Sequence, residues 1–318
     1  MLPAPAVSRP FPPKEQVPVQ ALACARPRTL GLPLARLSVF AVALRAWELE
    51  ITTMSYRTIW RLLRRAALRP WFQKQWLFPR DPRLAEKAAP VLDLYHRCWQ
   101  GAPLGPHDRV LCGDELTNIT PLDRHHPTQA PAPGRVGRYE HGHDRQPADR
   151  QVYLALLDVF TGRVTGHVGP RNGIVPFDQL VHKYLATPAA TTAKRIFLIL
   201  DGGSAHHANT APKRLAALDE RIQVVTLPTH SSWLNQIEIY FSIVKRKALT
   251  PNDLPDGAAI ARRLYGFERY YNREGEPFKW TYTKKKLDEY LKKLTKAGRW
   301  PPEGADALVL RQGGCESF

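Results

Sequence analysis

The sequence predicts an α/β fold, a mixed sheet flanked by helices, preceded by an all-α helix-turn-helix region. Three observations carry this expectation. Beyond residue 106, β-rich apolar runs come first in succession and then alternate with amphipathic helical stretches, the pattern of a mixed sheet with helices on its faces. Residues 26–80 hold only helical periodicities. Finally, 46 Lys+Arg outweigh 29 Asp+Glu among 318 residues, a net charge of +17. Such a surplus points to a polyanionic partner, because neutralising phosphates releases counterions and drives nucleic-acid binding.

Taken in order, residues 1–25 ("MLPAPAVSRPFPPKEQ" and on) read as a Pro-rich disordered tail without the apolar core of a signal peptide. "LARLSVFAVALRAWELE" (34–50) reads as a core helix. Ser55 is the expected N-cap of a second helix that Pro70 stops. On that helix Ile59, Leu62, Leu63 and Ala66 share one face, and Arg57, Arg61, Arg64 and Arg65 share another. Two helices joined by a short polar turn, the second with an arginine face, match a helix-turn-helix whose second helix enters the major groove. A solvated basic helix on a core is the competing reading.

Residues 71–82 read as a linker and 81–105 as a helical linker, with Pro90 predicting a kink or a fresh start. A catalytic domain is expected over 106–272. There "RVLCGDELTNITPL" is a strand interrupted by Asp114, and "RQVYLALLDVFTGRVTGHV" a hairpin turning at Thr161 and Gly162. "GIVPFDQLVHKYLA" follows as a helix, "AKRIFLILD" as a strand ending on Asp201, "TAPKRLAAL" as a helix and "IQVVTLP" as a strand. "SSWLNQIEIYFSIVKRKAL" reads as one long helix from near Ser231. Residues 273–318 complete the chain as a basic surface helix and tail.

The four cysteines are scattered, without a CxxC pair, which fits a reducing cytosol rather than a disulfide framework or a zinc finger. No stretch is apolar for long enough to span a membrane. The expected location is cytoplasmic and nucleoid-associated.

Three acids stand out by position. Asp114 interrupts a strand, where an unpaired charge is costly to bury. Asp201 sits at the carboxyl end of a later strand, the edge where open α/β sheets gather their sites. Glu238 borders the apolar face formed by Trp233, Ile237, Tyr240, Phe241 and Val244. Acids converging on one edge repel one another unless cations lie between them, and hard oxygen ligands suit Mg²⁺ or Mn²⁺. Two such ions can activate an attacking oxygen and stabilise a leaving one in phosphodiester displacement. Singly, each acid is as well explained as an ordinary strand end or helix start.

With these residues in view, the chain resembles DDE-type transposases of the mariner superfamily, in their bacterial insertion-sequence branch. "LPTHSSWLNQIEIYFSIVKRKALTPNDLP" (227–255) is similar to the family's third-carboxylate block, "GDELTNITPLDRHHPT" to the first and "FLILDGGSAHHA" to the second. Glu238 follows Asp201 by thirty-seven positions. The resemblance implies a ribonuclease-H-like catalytic domain behind a DNA-binding region, with Asp114, Asp201 and Glu238 as ligands of two Mg²⁺ ions (Mn²⁺ as substitute). It also implies hydrolysis of the DNA backbone at element ends, then attack of the freed 3′-hydroxyl on target DNA at TA. Water and DNA oxygens are the nucleophiles, consistent with the lack of a Ser/His or Cys/His nucleophile pattern. Double-stranded DNA, as terminal inverted repeats and target, is the implied partner, bound by a homodimer; no membrane is involved. Two departures stand out. Gly202 replaces the asparagine common after the second aspartate, and one helix-turn-helix candidate stands where the family usually has two, so the region reads as shortened.

Other residues take supporting parts. His206 matches a histidine of the second block and is expected to contact DNA or support the site; with no cysteine nearby, His206 and His207 do not read as zinc ligands. Asn235 is expected to orient the metal shell, whereas Ser232 reads as a cap. Lys245, Arg246 and Lys247 extend the Glu238 helix with charge suited to phosphate. Glu115 should face away from Asp114 across the strand. The alternatives to an active transposase are a catalytically silent DNA-binding remnant and a general nuclease.

Overall fold

Residues 13–73, 79–202, 210–298 and 300 are described in the computed structural model. The chain divides into two units, Met1–Phe78 and Pro79–Phe318.

The first unit is helical. Helix α1 (Pro13–Cys24) precedes α2 (Val39–Glu48) and α3 (Tyr56–Arg65). Ser38 and Ser55 cap the second and third, their hydroxyls accepting from Ala41 N–H at 3.0 Å and Thr58 N–H at 3.3 Å, which satisfies otherwise orphaned donors of the first turn. Val19, Leu22 and Ala23 of α1 pack with Val42, Ala43 and Ala46 of α2 and with Ile59, Leu62 and Leu63 of α3. This corrects the expectation of a tail for residues 13–24; residues 1–12 lie outside the described residues. The prolines mask a short apolar stripe at i, i+3 and i+4, and a neighbouring core makes that stripe a helix. Thr52, in the turn before α3, donates to Glu15 of α1.

The second unit is built on β1 (Asp108–Ile119), β2 (Gln151–Asp158), β3 (Val164–Gly169), β4 (Arg195–Leu200) and β5 (Ile222–Thr226). Their order is β3-β2-β1-β4-β5. The first three run antiparallel, while β4 and β5 run parallel to β1. A bidentate pair between Arg195 and Asp108, at 3.0 and 2.5 Å, ties the start of β4 to the start of β1. Along the chain lie α4 (Leu84–Tyr95), α5 (Ile174–Leu185), α6 (Pro188–Thr191), α7 (Ala211–Leu218), α8 (Ile237–Lys247), α9 (Gly257–Glu274) and α10 (Lys284–Lys296). Strand alternation divides the core in two. Val110, Cys112, Tyr153, Phe197 and Ile199 meet α4, α8, α9 and α10. Leu111, Leu154, Leu156, Leu198 and Leu200 meet α5, α6 and α7.

Three expectations change. Residues 81–105 are not a linker, since α4 buries Leu84, Ala88, Val91, Leu92 and Leu94 in the main core. Pro90 lies inside α4 without ending it. Each large apolar side chain buried stabilises by roughly 1.5–3 kcal/mol, so together they outweigh the ~3 kcal/mol proline penalty. Nor is α10 merely superficial: Leu287, Leu291 and Leu294 are buried, and Lys284 pairs with Asp93 of α4 at 2.5 Å. No helix among the described residues is long and apolar enough to cross a membrane.

Candidate active site

Parallel register brings two of the three acids together. Partners on β1 and β4 run from Asp108 opposite Arg195 to Cys112 opposite Ile199. Continued by two residues, the same offset sets Asp114 level with Asp201, just past the end of β4. Both follow the parity of Cys112 and Ile199 and so project toward the face that α8 covers. Glu238 lies in the first turn of α8. Asp114 is 8% exposed, while Asp201 and Glu238 are half-buried at the rim.

Burial, joined by the charges of Asp201, Glu115 and Glu238, pushes the Asp114 carboxyl up to about 7, against the lowering effect of its bond from Glu115 N–H. The three acids therefore share one electrostatic neighbourhood. Glu115 turns to the opposite face, as alternation requires, and accepts from Asn172 at 3.4 Å. Gly113 supplies room: a Cβ there would stand 2.8 Å from Leu200 Cδ2 and 2.9 Å from Leu156 Cδ2.

The stretch expected to be one long helix is broken. A 3₁₀ turn, Ser232–Leu234, precedes α8, and Asn235 between them is extended at φ −84°, ψ 110°. That break sends the Asn235 side chain inward. Its Nδ2 donates to Gly113 O at 3.1 Å and to Asp114 Oδ2 at 3.3 Å. Asp114 Oδ1 accepts from Glu115 N–H at 2.8 Å, so both carboxylate oxygens are held. The Asn235 Oδ1 and both Gln236 amide atoms are buried without a partner among the described residues.

Two supporting residues escaped the sequence reading. Tyr95 of α4 donates to Leu234 O at 2.7 Å and lies 3.2 Å from Cys112 Sγ, pinning the 3₁₀ turn to β1. Asp81 accepts from Thr229 N–H at 2.9 Å and from Lys87 at 2.6 Å, fixing the approach to that turn. Their partners are distant in sequence, and no local pattern marks them.

The remaining expectations fall as follows. Arg57, Arg61, Arg64 and Arg65 are exposed on α3, where Tyr56 and Trp60 are also exposed and Arg64 lies over the Trp60 ring at 5.2 Å. Lys245 and Arg246 are exposed at the end of α8, and Ser232 is exposed as well. His206 and His207 lie outside the described residues.

Among the described residues, no three His, Cys, Asp or Glu side chains are placed as a ready-made metal cluster. In kind, the donor set suits a hard divalent cation. It is all oxygen, and burial holds one of its acids partly protonated near neutrality, a cost that a bound cation offsets.

A five-stranded sheet of this order and direction, with Asp114 inside β1, Asp201 just past the end of β4 and Glu238 on a covering helix, has the ribonuclease-H-like architecture. Comparison with known proteins bears on this directly. Residues 109–259 match the model of the DDE superfamily endonucleases. Among solved structures, the Mos1 mariner paired end complex with Mn aligns at 15% identity and TM-score 0.51, over 93% of this chain and 82% of that chain. The pre-cleavage Mos1 transpososome aligns at 14% identity and TM-score 0.49, over 95% and 84%. At such identity the first of these shows the fold. A search of curated proteins gave no match.

Proposed function

We propose that the chain is a mariner-type transposase of an insertion sequence. In this reading it cleaves DNA at the element's terminal inverted repeats and transfers the freed 3′-hydroxyl into target DNA at TA. The carrying observation is the registry of Asp114 with Asp201 beneath Glu238, with the Asp114 carboxyl displaced to about 7 by burial and by these neighbours. Asp114, Asp201 and Glu238 would hold two Mg²⁺ ions, with Mn²⁺ as substitute; the fold-related Mos1 complex was determined with Mn.

Divalent ions held by these carboxylates supply activation of the attacking oxygen and stabilisation of the leaving one. The protein's own part is positional. Asn235 and the Glu115 N–H fix both Asp114 oxygens, while Tyr95 holds the turn that carries Asn235. Asp114 must also shed the proton that burial favours, because carboxylates ligate in the ionised form. The arginines of α3 would grip the repeats. The fold-related complex is a paired end complex, which supports two copies of this chain acting on two ends; the location proposed with this reading is the cytoplasm, at the nucleoid.

The test is cleavage of a duplex carrying the element's terminal repeats, with Mg²⁺, by wild type and Asp114→Asn. Repeat-specific nicking lost in the variant supports the reading. Equal cleavage of any duplex indicates a general nuclease, and no cleavage indicates a silent DNA-binding remnant.

A further inference from the structure

The exposed face of α9 is a second cationic surface, remote in sequence from the arginines of α3. Arg262, Gly266, Arg269, Tyr270 and Arg273 recur at i, i+4, i+7, i+8 and i+11, which places them along one side of the helix. Two shallow concavities of about 650 and 530 Å³ adjoin there, sharing Gly266 and Tyr270. One is also lined by Arg163, Arg269 and Arg273, the other by Lys247, Arg262 and Arg263. Tyr270 is 51% exposed, with the Arg273 guanidinium 5.7 Å from its ring centre. Of these cations only Arg263 is in an ion pair among the described residues, with Asp253 at 3.5 Å.

Helix α10 shows what an ordinary solvated basic helix looks like in this protein. Its lysines alternate with Asp288 and Glu289, Lys292 pairs with Asp288, and Lys284 is spent on Asp93. The α9 face ends on the exposed Glu274, with Glu276 just beyond, yet among the described residues neither is in an ion pair with its arginines, and the face is held firmly. Asn272 exchanges hydrogen bonds with Val164 N–H and C=O at 2.8 and 2.7 Å, and Gly162, at φ +70°, packs on the backbone of Glu276 and Pro277 where no Cβ would fit. The turn bearing Arg163 is thereby fixed beside Arg269 and Arg273.

We propose that this α9 face, with Arg163 and Lys247 at its ends, binds the phosphate backbone of duplex DNA, independently of base sequence and in addition to the arginines of α3. Unneutralised arginines interleaved with an exposed tyrosine suit a polyanion presenting phosphates and sugars. From Arg262 to Arg273 the helix rises about 16 Å, the length of roughly five base pairs at 3.4 Å per step. The inference rests on the proposed function for its DNA.

The experiment measures the affinity of full-length protein for duplex DNA by fluorescence anisotropy across a salt series. It compares wild type, R163Q/R269Q/R273Q, and the control K285Q/K293Q/K296Q, which removes equal charge from α10, with thermal melting to verify folding. The expected result is a salt slope lower by about 2–3 in the α9 variant, equally for repeat and unrelated duplexes, and a smaller change in the control. An unchanged slope in the α9 variant while wild type still binds and cleaves repeats overturns the surface alone. Equal losses in both variants overturn it too, since net charge then suffices. A changed oligomeric state on sedimentation with an unchanged slope means that the face meets a second copy instead. If wild type binds no duplex, the proposed function falls with it.

Discussion

The two faces of the sheet are written by alternate residues of the same strands, yet they differ in kind. On the face under α5, α6 and α7 the strand residues at the centre are aliphatic: Leu111, Leu154, Leu156, Leu198 and Leu200 pack against Phe177, Leu180 and Leu215, and its buried polar groups, Asp158 and Tyr184, stand away from the acids. The face under α4, α8 and α9 holds buried polar groups among its apolar ones. Asp114, Tyr95, Cys112 and Asn235 cluster at the carboxyl ends of the central strands. Farther along, Tyr153 and Tyr240 share a hydrogen bond of 3.0 Å and Tyr153 reaches Glu268 at 3.1 Å. Burial pushes Glu268 above the ordinary glutamate range, partly offset by the charge of Lys183 and the Tyr153 bond. Buried polar groups are costly unless they are paired, and around the acids Asn235 and Tyr95 supply those pairings. Each strand can serve both faces because its side chains alternate.

Breaking the polar face at its centre should have the largest effect. Asp114→Ala is expected to lower Mg²⁺-dependent cleavage at least 10³-fold, equivalent to about 4 kcal/mol of transition-state stabilisation, with the circular-dichroism spectrum unchanged. Retained cleavage would sink the assignment.

The pH dependence of stability probes the same carboxylate. Its folded pKa of about 7 lies above the ordinary 3.8, so the folded state binds the proton more tightly than the unfolded one. Stability contributed by Asp114 is thus fully present below about pH 4 and is lost as pH rises to 7. The displacement corresponds to on the order of 4 kcal/mol. In metal-free buffer, wild-type melting temperature relative to Asp114→Asn should fall between pH 4.5 and 8, and Mg²⁺ should restore part of it at pH 8. A flat difference would show that the acid is not buried with its charge.

On the aliphatic face the expectation reverses. Leu198→Ala should cost about 2–5 kcal/mol in urea unfolding through the lost transfer energy and the cavity it leaves. Cleavage per folded molecule should stay within about twofold at a temperature where both proteins are folded. A large kinetic loss there would erase the distinction between the faces.

Smallest is the hydroxyl of Tyr153. Tyr153→Phe removes one buried hydrogen-bonding hydroxyl and should cost about 1–2 kcal/mol. Because its hydroxyl bonds Tyr240 and Glu268 and none of the three acids, cleavage per folded molecule should change little; stability unaltered in urea would mean that the tyrosine pair carries no weight.

Much of this protein was legible before any coordinates. Strand alternation, the Ser55 cap and the late alternation of helix and strand are local signals, because hydrogen-bond geometry and side-chain periodicity act over a few residues. The three acids were visible because Asp114 interrupts a strand, Asp201 ends one and Glu238 borders a helix's apolar face, and through the blocks around them. Local signals misled where packing decided the outcome. Prolines hid α1, Pro90 suggested a break that the core of α4 does not permit, and the stretch from Ser231 read as continuous helix although it breaks at Asn235.

What the sequence by itself determined was the composition of each face and the identity of the acids. Tertiary structure alone decided their alignment: the β1–β4 register that sets Asp114 level with Asp201, the turn at Asn235 that reaches Asp114, and the grip of Tyr95 on Leu234. These join residues up to 139 positions apart. Such contacts are specified by the closing of a whole core, because only burial makes an unpaired carboxylate, amide or carbonyl costly enough to choose its partner.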